Sequence, residues 1–212
     1  MSTLPASNST TSGRFANSHP RWLRLTHWLN ALAVLVMVMS GWRIYNASPL
    51  YGFRFPNAMT LGGWLGGALQ WHFAAMWLLA FNGLVYVLIN VASGRLARRF
   101  FPLSPHGVMH DLWAAFTGRL GHADLSHYNQ VQRLAYLFVM VDIAMMVVSG
   151  LVLWKSVQFA TLRELLGGYD SARHVHFIAM ALLMGFVVVH LVMVALVPKT
   201  LRAMIVGHKE RV

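Results

Sequence analysis

The sequence contains no cysteine, and only 11% of its 212 residues are charged. Without thiols the chain can form no disulfide, no thiolate-bound zinc site, no cysteine-held iron–sulfur cluster and no c-type haem attachment. A soluble domain is typically about 25% charged, so the low charge content argues against a water-soluble fold. Acids are especially rare, since 17 Lys and Arg stand against six Asp and Glu. We expect this excess to reflect membrane topology and anionic headgroups, with no nucleic-acid partner.

The sequence is rich in apolar residues, which make up 57% of the chain and give it a mean hydropathy of +0.54. Four stretches of about 18–23 residues match a helix that crosses a hydrocarbon core of roughly 30 Å. They are residues 25–42, 72–91, 134–154 and 175–197. Only the third holds a charged residue, Asp142. The sequence therefore predicts an all-α membrane protein, in which four transmembrane helices form a bundle that is embedded in the lipid bilayer.

The basic residues predict the orientation of this bundle. If the N-terminus is cytoplasmic, the two tails and the second loop hold twelve Lys and Arg, and the opposite side holds five. Loops rich in Lys and Arg stay inside, so we expect both termini to be cytoplasmic. Residues 1–18 are polar and predict a disordered cytoplasmic tail. Residues 19–205 then form the membrane domain, and residues 206–212 a cytoplasmic C-terminal tail.

An internal repeat predicts two helix hairpins arranged in parallel. RLTHWLNALAVLVMVMSG (24–41) aligns without a gap with RLAYLFVMVDIAMMVVSG (133–150). HFAAMWLL (72–79) shares six of eight residues with HFIAMALL (176–183). Internal repeats are a known way of building membrane proteins. The alternative is chance similarity between apolar segments.

Four histidines lie within the predicted spans, namely His27, His72, His176 and His190. A single intramembrane histidine is often a packing residue, but ionisable groups are costly there, and four in one small bundle indicate function. His176 and His190 are 14 residues apart, so they lie about 21 Å apart along one helix and differ by about 40° in bearing. His72 begins its span at the outer depth of His176, and His27 begins its span at the inner end, on the side of His190. Two facing pairs result.

Two facing imidazoles restrict the cofactor that each pair can hold. Zinc usually needs four ligands, and neither pair has an obvious third. Axial ligation of haem needs only one nitrogen on each face of a flat macrocycle, and the core of a helix bundle is a usual location for it. Small residues let helices part around such a ring, and each span contains a glycine: Gly41, Gly83, Gly150 and Gly185.

This pattern resembles the bacterial di-haem cytochrome b family, of the cytochrome b561 and hydrogenase type. That family includes membrane subunits of nickel–iron hydrogenases, formate dehydrogenase and thiosulfate reductase. The resemblance covers roughly residues 20–205, and its most specific element is one histidine on helix one, one on helix two and two, 14 residues apart, on helix four. It implies two b-type haems, one ligated by His27 and His190 and one by His72 and His176.

The resemblance also implies a location and partners. The location is the bacterial cytoplasmic (inner) membrane, and the partner is a periplasmic or membrane-bound oxidoreductase subunit, such as a molybdenum enzyme or a hydrogenase. The segment HYNQVQR (127–133) resembles the Asn-x-x-Gln stretch that helps to form the quinone site of formate dehydrogenase membrane subunits. This implies quinone contacts by Asn129 and Gln132. The alternative is that Asn129 caps the helix and Gln132 is solvated.

Other polar and aromatic residues within the spans carry further expectations. In the repeat, Tyr86 aligns with His190 and Tyr136 with His27. We expect both tyrosines to face the inner cavity, and the alternative is interfacial anchoring. Asp142, near the middle of the third span, is either a packing group or a proton relay.

We expect the chain to transfer electrons across the membrane between quinone near the inner haem and a partner at the outer face. The sequence has no phosphate-binding glycine loop and no flavin, nicotinamide or nucleophile motif, so the substrate chemistry would belong to the partner. A rival is a stand-alone enzyme that oxidises superoxide or reduces ferric iron, with Arg43, Arg54 and Arg173 steering an anion. A non-redox metal transporter is a third candidate, which the sparse polar lining disfavours.

Overall fold

The computed structural model describes residues 21–92, 104–116 and 130–206, and within these ranges every regular element is a helix. In chain order they are α1 (Arg21–Ala47), a 3-10 turn (Asn57–Met59), α2 (Leu65–Ala92), α3 (Pro105–Phe116), α4 (Gln130–Trp154), α5 (Ala160–Leu165), α6 (Tyr169–Leu196) and α7 (Pro198–Ile205). Helices α1, α2, α4 and α6 are long and apolar enough to cross a membrane. This confirms the predicted all-α bundle of four transmembrane helices. The predicted N-terminal tail lies outside the described residues.

The long helices extend beyond the apolar spans. Helix α1 continues past Trp42 to Ala47, and α2 begins at Leu65, well before His72. Hydropathy marks only the part of a helix that fits the hydrocarbon, whereas backbone hydrogen bonding continues into the headgroup zone. We call the end of the bundle that carries Ala47 and Leu65 the outer end, after the predicted orientation, and the opposite end the inner end.

The four long helices pack as two hairpins, α1 with α2 and α4 with α6. Small side chains contribute to both interfaces. Five alanines are at most 5% exposed, namely Ala33, Ala68 and Ala75 in hairpin one and Ala172 and Ala179 in hairpin two. Small residues let membrane helices approach closely. Many large apolar side chains point outward instead, as expected of surfaces that face lipid.

A glycine-rich turn leads into α2 at the outer end. The Leu61 amide donates to the Met39 carbonyl of α1 at 3.0 Å, which ties the turn back to the first helix. Gly62 has a φ of +105°, and a Cβ there would collide with the backbone of Ala68. Glycine is therefore required at this close approach.

At the inner end, short elements fold back onto the long helices. The Arg24 guanidinium donates to the Ile205 carbonyl at 3.0 Å, and the Trp28 indole donates to the Met204 carbonyl at 3.2 Å, so α7 is held against the start of α1. The Asp111 carboxylate of α3 accepts a hydrogen bond from the backbone amide of Gln130 at 2.7 Å. This contact caps the first turn of α4.

Candidate functional site

The inner histidine pair joins the two hairpins. His27 on α1 and His190 on α6 have ring centres 6.1 Å apart and ring planes at 61°. Trp28 meets His27 edge-on at 5.6 Å, and Phe186 stacks on His190 at 6.1 Å. The structure thus brings the two residues together, although the apolar boundaries put His27 nearer the inner surface than His190.

His72, at the outer end, is held by hydrogen bonds from its own hairpin. Its Nδ1 lies 3.2 Å from the Met37 carbonyl and 3.1 Å from the Ser40 hydroxyl. The Ser40 hydroxyl donates to the Val36 carbonyl at 2.6 Å, so it accepts from His72. Because a carbonyl can only accept, these partners assign the proton to Nδ1. The Nε2 lone pair of His72 is therefore available to a metal.

His176 is held in the same way by the second hairpin. Its Nδ1 lies 2.9 Å from the Ser149 hydroxyl, which donates to the Met145 carbonyl at 2.7 Å. The ring also forms a backbone hydrogen bond with Met146. Ser149 is the residue that aligns with Ser40 in the repeat, so both hairpins contain the same serine–histidine contact. The repeat found in the sequence is also present in the side-chain geometry.

A glycine follows each of these serines and lets the imidazole lie against the neighbouring helix. A Cβ at Gly41 would lie 3.6 Å from Cε1 of His72, and one at Gly150 would lie 3.3 Å from Cε1 of His176. The first distance is an ordinary van der Waals contact, and the second would force a small displacement of the ring. His72 and His176 are both half-buried.

These histidines fit a haem better than a zinc ion. Metal–imidazole bonds are about 2 Å long and a ring centre lies about 1 Å behind its nitrogen, so two rings on opposite sides of one metal have centres about 6 Å apart. His27 and His190 show this spacing, at 6.1 Å. In the described part of the chain, no three His, Cys, Asp or Glu side chains cluster as a metal site. The backbones of the two hairpins approach each other at few points in the described part of the chain.

An aromatic cluster joins the hairpins at the outer end. Tyr45 of α1 and Tyr51 of the following loop each lie 5.1 Å from Phe177, the residue after His176. Phe53 packs on Tyr45 at 5.3 Å. Tyr51 and Phe53 are 40% and 47% exposed. The cluster therefore connects the surroundings of the outer histidines with the surface.

The three outer arginines singled out from the sequence differ in their partners. Arg173 donates to the Ser48 carbonyl at 2.7 Å and lies 3.8 Å from the Asp170 carboxylate. Arg43 donates to the Asn57 side-chain oxygen at 2.7 Å. No described carboxylate pairs with Arg43 or Arg54. Arg173 thus braces the two hairpins, whereas Arg43 and Arg54 keep uncompensated charge.

The residues predicted to contact quinone are only partly described. Asn129 lies outside the described residues, and Gln132 is exposed in the first turn of α4. Tyr86 is half-buried in the inner half of α2, with its ring 6.5 Å from that of Trp22. Tyr136 is also half-buried. The Trp22 contact gives Tyr86 a packing role at the inner end.

Two polar residues lie buried within the hairpins. Asn82 donates to the Thr26 carbonyl and to the side-chain oxygen of Asn30, both at 2.7 Å, and so binds α2 to α1. Asp142 is 6% exposed, and its Oδ2 is buried without a hydrogen-bond partner among the described residues. It aligns with Ala33 of the first hairpin.

Reasoning from the sequence missed Ser40 and Ser149. A signal was present, because a Ser-Gly pair ends both aligned segments of the repeat. Serine is common in membrane helices, however, and its spacing alone does not reveal an imidazole on the neighbouring helix.

Comparisons with known proteins identify the family. The sequence model of the family "Prokaryotic cytochrome b561" matches residues 18–207. The "Putative protein-methionine-sulfoxide reductase subunit YedZ1" of Azospira oryzae is 66% identical over 90% of this chain and 96% of its own length. The "Probable Ni/Fe-hydrogenase B-type cytochrome subunit" of Bradyrhizobium diazoefficiens is 25% identical over 72% of this chain and 59% of its own length. No solved structure matches the chain. The chain therefore belongs to the prokaryotic cytochrome b561 family and is a membrane electron-transfer subunit that binds haem b.

Proposed function

We propose that this chain carries electrons through two b-type haems, between quinone at the inner end and an oxidoreductase subunit at the outer end. The observation that carries the proposal is the placement of four histidines at two depths of one bundle: His27 lies 6.1 Å from His190 across the hairpins, and His72 and His176 are each held by a serine at the outer end. Haem bound by each pair would supply a one-electron redox centre. The α6 ligands are about 21 Å apart along the helix, which is most of a hydrocarbon core of roughly 30 Å.

The chain's own contribution at the outer pair is to fix two imidazoles. Ser40 and Ser149 hold the proton on Nδ1 of His72 and His176, which leaves Nε2 of each ring as the nitrogen that would bind a haem iron. Hydrogen bonds at the far nitrogen of a metal-bound histidine orient the ring and raise its basicity. A more basic ligand stabilises the ferric state, so these serines tend to lower the potential of the outer haem.

The inner end supports the quinone half of the proposal. Gln132 is exposed in the first turn of α4, and Asn129 directly precedes that helix in the chain. Their amides would donate hydrogen bonds to the oxygens of a bound quinone. The capping contact of Asp111 with Gln130 fixes the start of α4, at 2.7 Å. A quinone there would lie on the side of the bundle that holds His27 and His190.

The partner is inferred from the relatives. The Azospira protein, 66% identical, is named as a subunit of a protein-methionine-sulfoxide reductase. We infer a periplasmic partner of the same class, such as a molybdenum enzyme, with the chain in the bacterial inner membrane. Quinol oxidation at the inner end would release two electrons and two protons. The partner would use two electrons and two protons to convert a sulfoxide into a sulfide and water. The exposed aromatic cluster around Tyr51 and Phe53 offers an outer contact surface.

The positive charges of Arg43 and Arg54, which no described carboxylate pairs with, favour a second candidate function. A stand-alone enzyme that acts on superoxide or a ferric chelate would use such charge to attract an anion. Rapid turnover of superoxide or ferric citrate by the purified chain, without a partner protein, would favour this candidate. The electron-transfer proposal expects slow turnover with both compounds.

Proteoliposomes that contain the haem-loaded chain test the electron-transfer proposal. A soluble quinol should reduce both haems, measured by their α-band absorbance. In His27→Ala and His190→Ala variants, quinol should fail to reduce the outer haem, whereas dithionite should still reduce it. Gln132→Ala should slow quinol-driven reduction, and Gln158→Ala, at the outer end, is its control. Reduction by quinol at the wild-type rate in the His190→Ala variant would contradict the proposed route.

A further inference from the structure

Two concave sites lie one above the other on hairpin one, on the face of α1 that points away from the inner histidine pair. Arg43 and Val36 differ in bearing from His27 by about 160° and 180° around the helix. The upper site is a cavity of about 520 Å³ at the outer end. The lower site is a groove of about 240 Å³ between α1 and α2. Neither belongs to the histidine sites described above.

Four polar side chains line the upper cavity, and hydrogen bonds hold the loop beside it. Its walls include Arg43, Arg54, Asn46 and Asn57. Asn46 exchanges two hydrogen bonds with the backbone of Phe55, at 2.8 Å and 2.9 Å, which fixes the loop against the end of α1. Arg43 is held by the Asn57 side chain. A ligand would therefore meet preorganised donors.

The upper cavity carries uncompensated positive charge. The described carboxylates of the outer end, Glu164 and Asp170, lie beside Arg163 and Arg173 at 2.8 Å and 3.8 Å. Among the described residues, neither carboxylate forms an ion pair with Arg43 or Arg54. Two guanidinium groups around one cavity favour an anion, and arginine binds phosphate through paired N–H donors.

The lining of the lower groove is almost entirely apolar, and Trp71 is its one residue with a polar side-chain atom. Leu32, Ala33 and Val36 line it from α1, and Ala74 and Ala75 line it from α2. The small side chains of the three alanines create the space between the helices. Such a groove suits an extended hydrocarbon chain, and no described side chain fills it.

A shared stripe on α1 connects the two sites. Leu32, Val36 and Arg43 lie within about 40° of one another around the helix, and Arg43 stands about 10 Å above Val36. Arg43 directly follows Trp42, where the apolar span ends. The cavity thus lies in the headgroup zone, which is about 5–8 Å deep on each side of the bilayer, and the groove lies at acyl-chain depth.

We propose that this face of hairpin one binds one anionic phospholipid. Its phosphate lies between Arg43 and Arg54, and one acyl chain occupies the groove beside Ala74. The positive charge of the cavity matches the phosphate, and the apolar lining of the groove matches an acyl chain. The cavity lies above the groove, as the headgroup lies above the acyl chains of a lipid in the bilayer. The site does not depend on the proposed electron route.

Hairpin two provides an internal control, because the repeat places different residues at the same positions. Ala74 aligns with Ile178, and Arg43 aligns with Val152. Ile178 is 51% exposed, so a bulky residue is tolerated on that surface. At these aligned positions the second hairpin has neither the arginine nor the small residue that opens the groove, so we expect the lipid on hairpin one.

Native mass spectrometry of the purified, haem-loaded chain tests the site. The chain in detergent is titrated with dioleoylphosphatidylglycerol, with dioleoylphosphatidylcholine and with glycerol phosphate, which has the anionic head without acyl chains. Phosphatidylglycerol should bind with one saturable site and at least fivefold more tightly than phosphatidylcholine. Arg43→Gln and Arg54→Gln should each weaken its binding roughly fivefold, as expected for one basic residue beside an anionic headgroup. Arg163→Gln, outside the cavity, should leave binding unchanged.

Ala74→Ile separates the groove from the cavity. It should weaken binding of phosphatidylglycerol and leave binding of glycerol phosphate unchanged, because only the acyl chain loses its place. Equal binding of the two phospholipids to the wild-type chain would overturn the proposal. So would unchanged lipid binding in the Arg43→Gln Arg54→Gln double variant. A wild-type dimer that Ala74→Ile dissociates would assign the groove to a second copy instead.

Discussion

The two histidine pairs are held by different means. At the outer end, His72 and His176 each form a hydrogen bond with a serine of the neighbouring helix, at 3.1 Å and 2.9 Å. At the inner end, His27 and His190 face each other across the hairpins and pack on Trp28 and Phe186. The two outer imidazoles are therefore oriented by polar contacts within their own hairpins, which do not involve the other hairpin.

This difference teaches where the bundle is preorganised. A hydrogen bond fixes the tautomer and the ring orientation of an imidazole, and at the outer end a serine of the same hairpin provides it for each ring. The contact between His27 and His190 instead spans the two hairpins, so a change in hairpin spacing should disturb it more than it disturbs the serine–histidine contacts. This difference between the two pairs can be tested with variants that remove a histidine, place a larger side chain beside it or remove its hydrogen bond.

Removal of a ligand should have the largest effect. His72→Ala and His176→Ala should each abolish the same haem signal in a redox titration of the α-band, and His27→Ala and His190→Ala should each abolish the other. His174→Ala is the control, since His174 is exposed on α6 and lies 2.8 Å from the Asp170 carbonyl. A His27→Ala spectrum that matched His176→Ala would contradict the pairing.

Crowding of the outer pair should discriminate between the two hairpins. In Gly150→Ala the new Cβ would lie 3.3 Å from the His176 ring, and in Gly41→Ala it would lie 3.6 Å from the His72 ring. We expect Gly150→Ala to lower occupancy of the outer haem, measured by absorbance per chain, and Gly41→Ala to retain it. Equal loss in both variants would mean that the contact distance does not decide occupancy.

Asp142 marks a second difference between the hairpins, because its aligned residue is the fully buried Ala33. Burial of an unpartnered carboxyl is unfavourable, so Asp142→Ala should stabilise the bundle by about 1–3 kcal/mol. The free energy of unfolding in SDS measures this effect, and Ala33→Asp should destabilise hairpin one. If Asp142→Ala instead destabilises the bundle, the carboxyl has a partner. Lower quinol-driven haem reduction in a stabilised variant would favour the proton-relay role.

Removal of the serine hydrogen bonds to His72 and His176 should have the smallest effect, a shift in the midpoint potential of the outer haem. Ser40→Ala and Ser149→Ala each remove one hydrogen-bond acceptor of the imidazole, which makes the ring less basic and the ferric state less stable. A hydrogen bond contributes about 0.5–1.5 kcal/mol, so the outer midpoint potential should rise by roughly 20–60 mV. The inner potential should not move. A shift of the inner haem alone would assign the serines to the wrong pair.

Much of the fold could be predicted from the sequence, because lipid imposes strong constraints. A charge-free run of the right length is sufficient to indicate each long helix, and 14 residues between His176 and His190 define their separation along it. The repeat predicted which segments form equivalent hairpins. These features depend on local sequence and helix geometry alone.

The remaining features depend on contacts between segments distant in the chain. The contacts of Arg24 and Trp28 with α7 span more than 170 residues, and hydropathy carries no information about them. The outer loop of α1 folds onto Asn46 through backbone groups of Phe55, which any residue could provide. The apolar groove beside Ala74 depends on the mutual position of two helices, so composition could not reveal it.

The number of haems per chain tests the central claim most directly. Pyridine haemochrome quantification, with the protein concentration measured by amino-acid analysis, should give two b-type haems for each wild-type chain. It should give one for His72→Ala and one for His190→Ala. A single haem in the wild-type chain, or two in either variant, would contradict the assignment of His27 with His190 and His72 with His176 to separate haems.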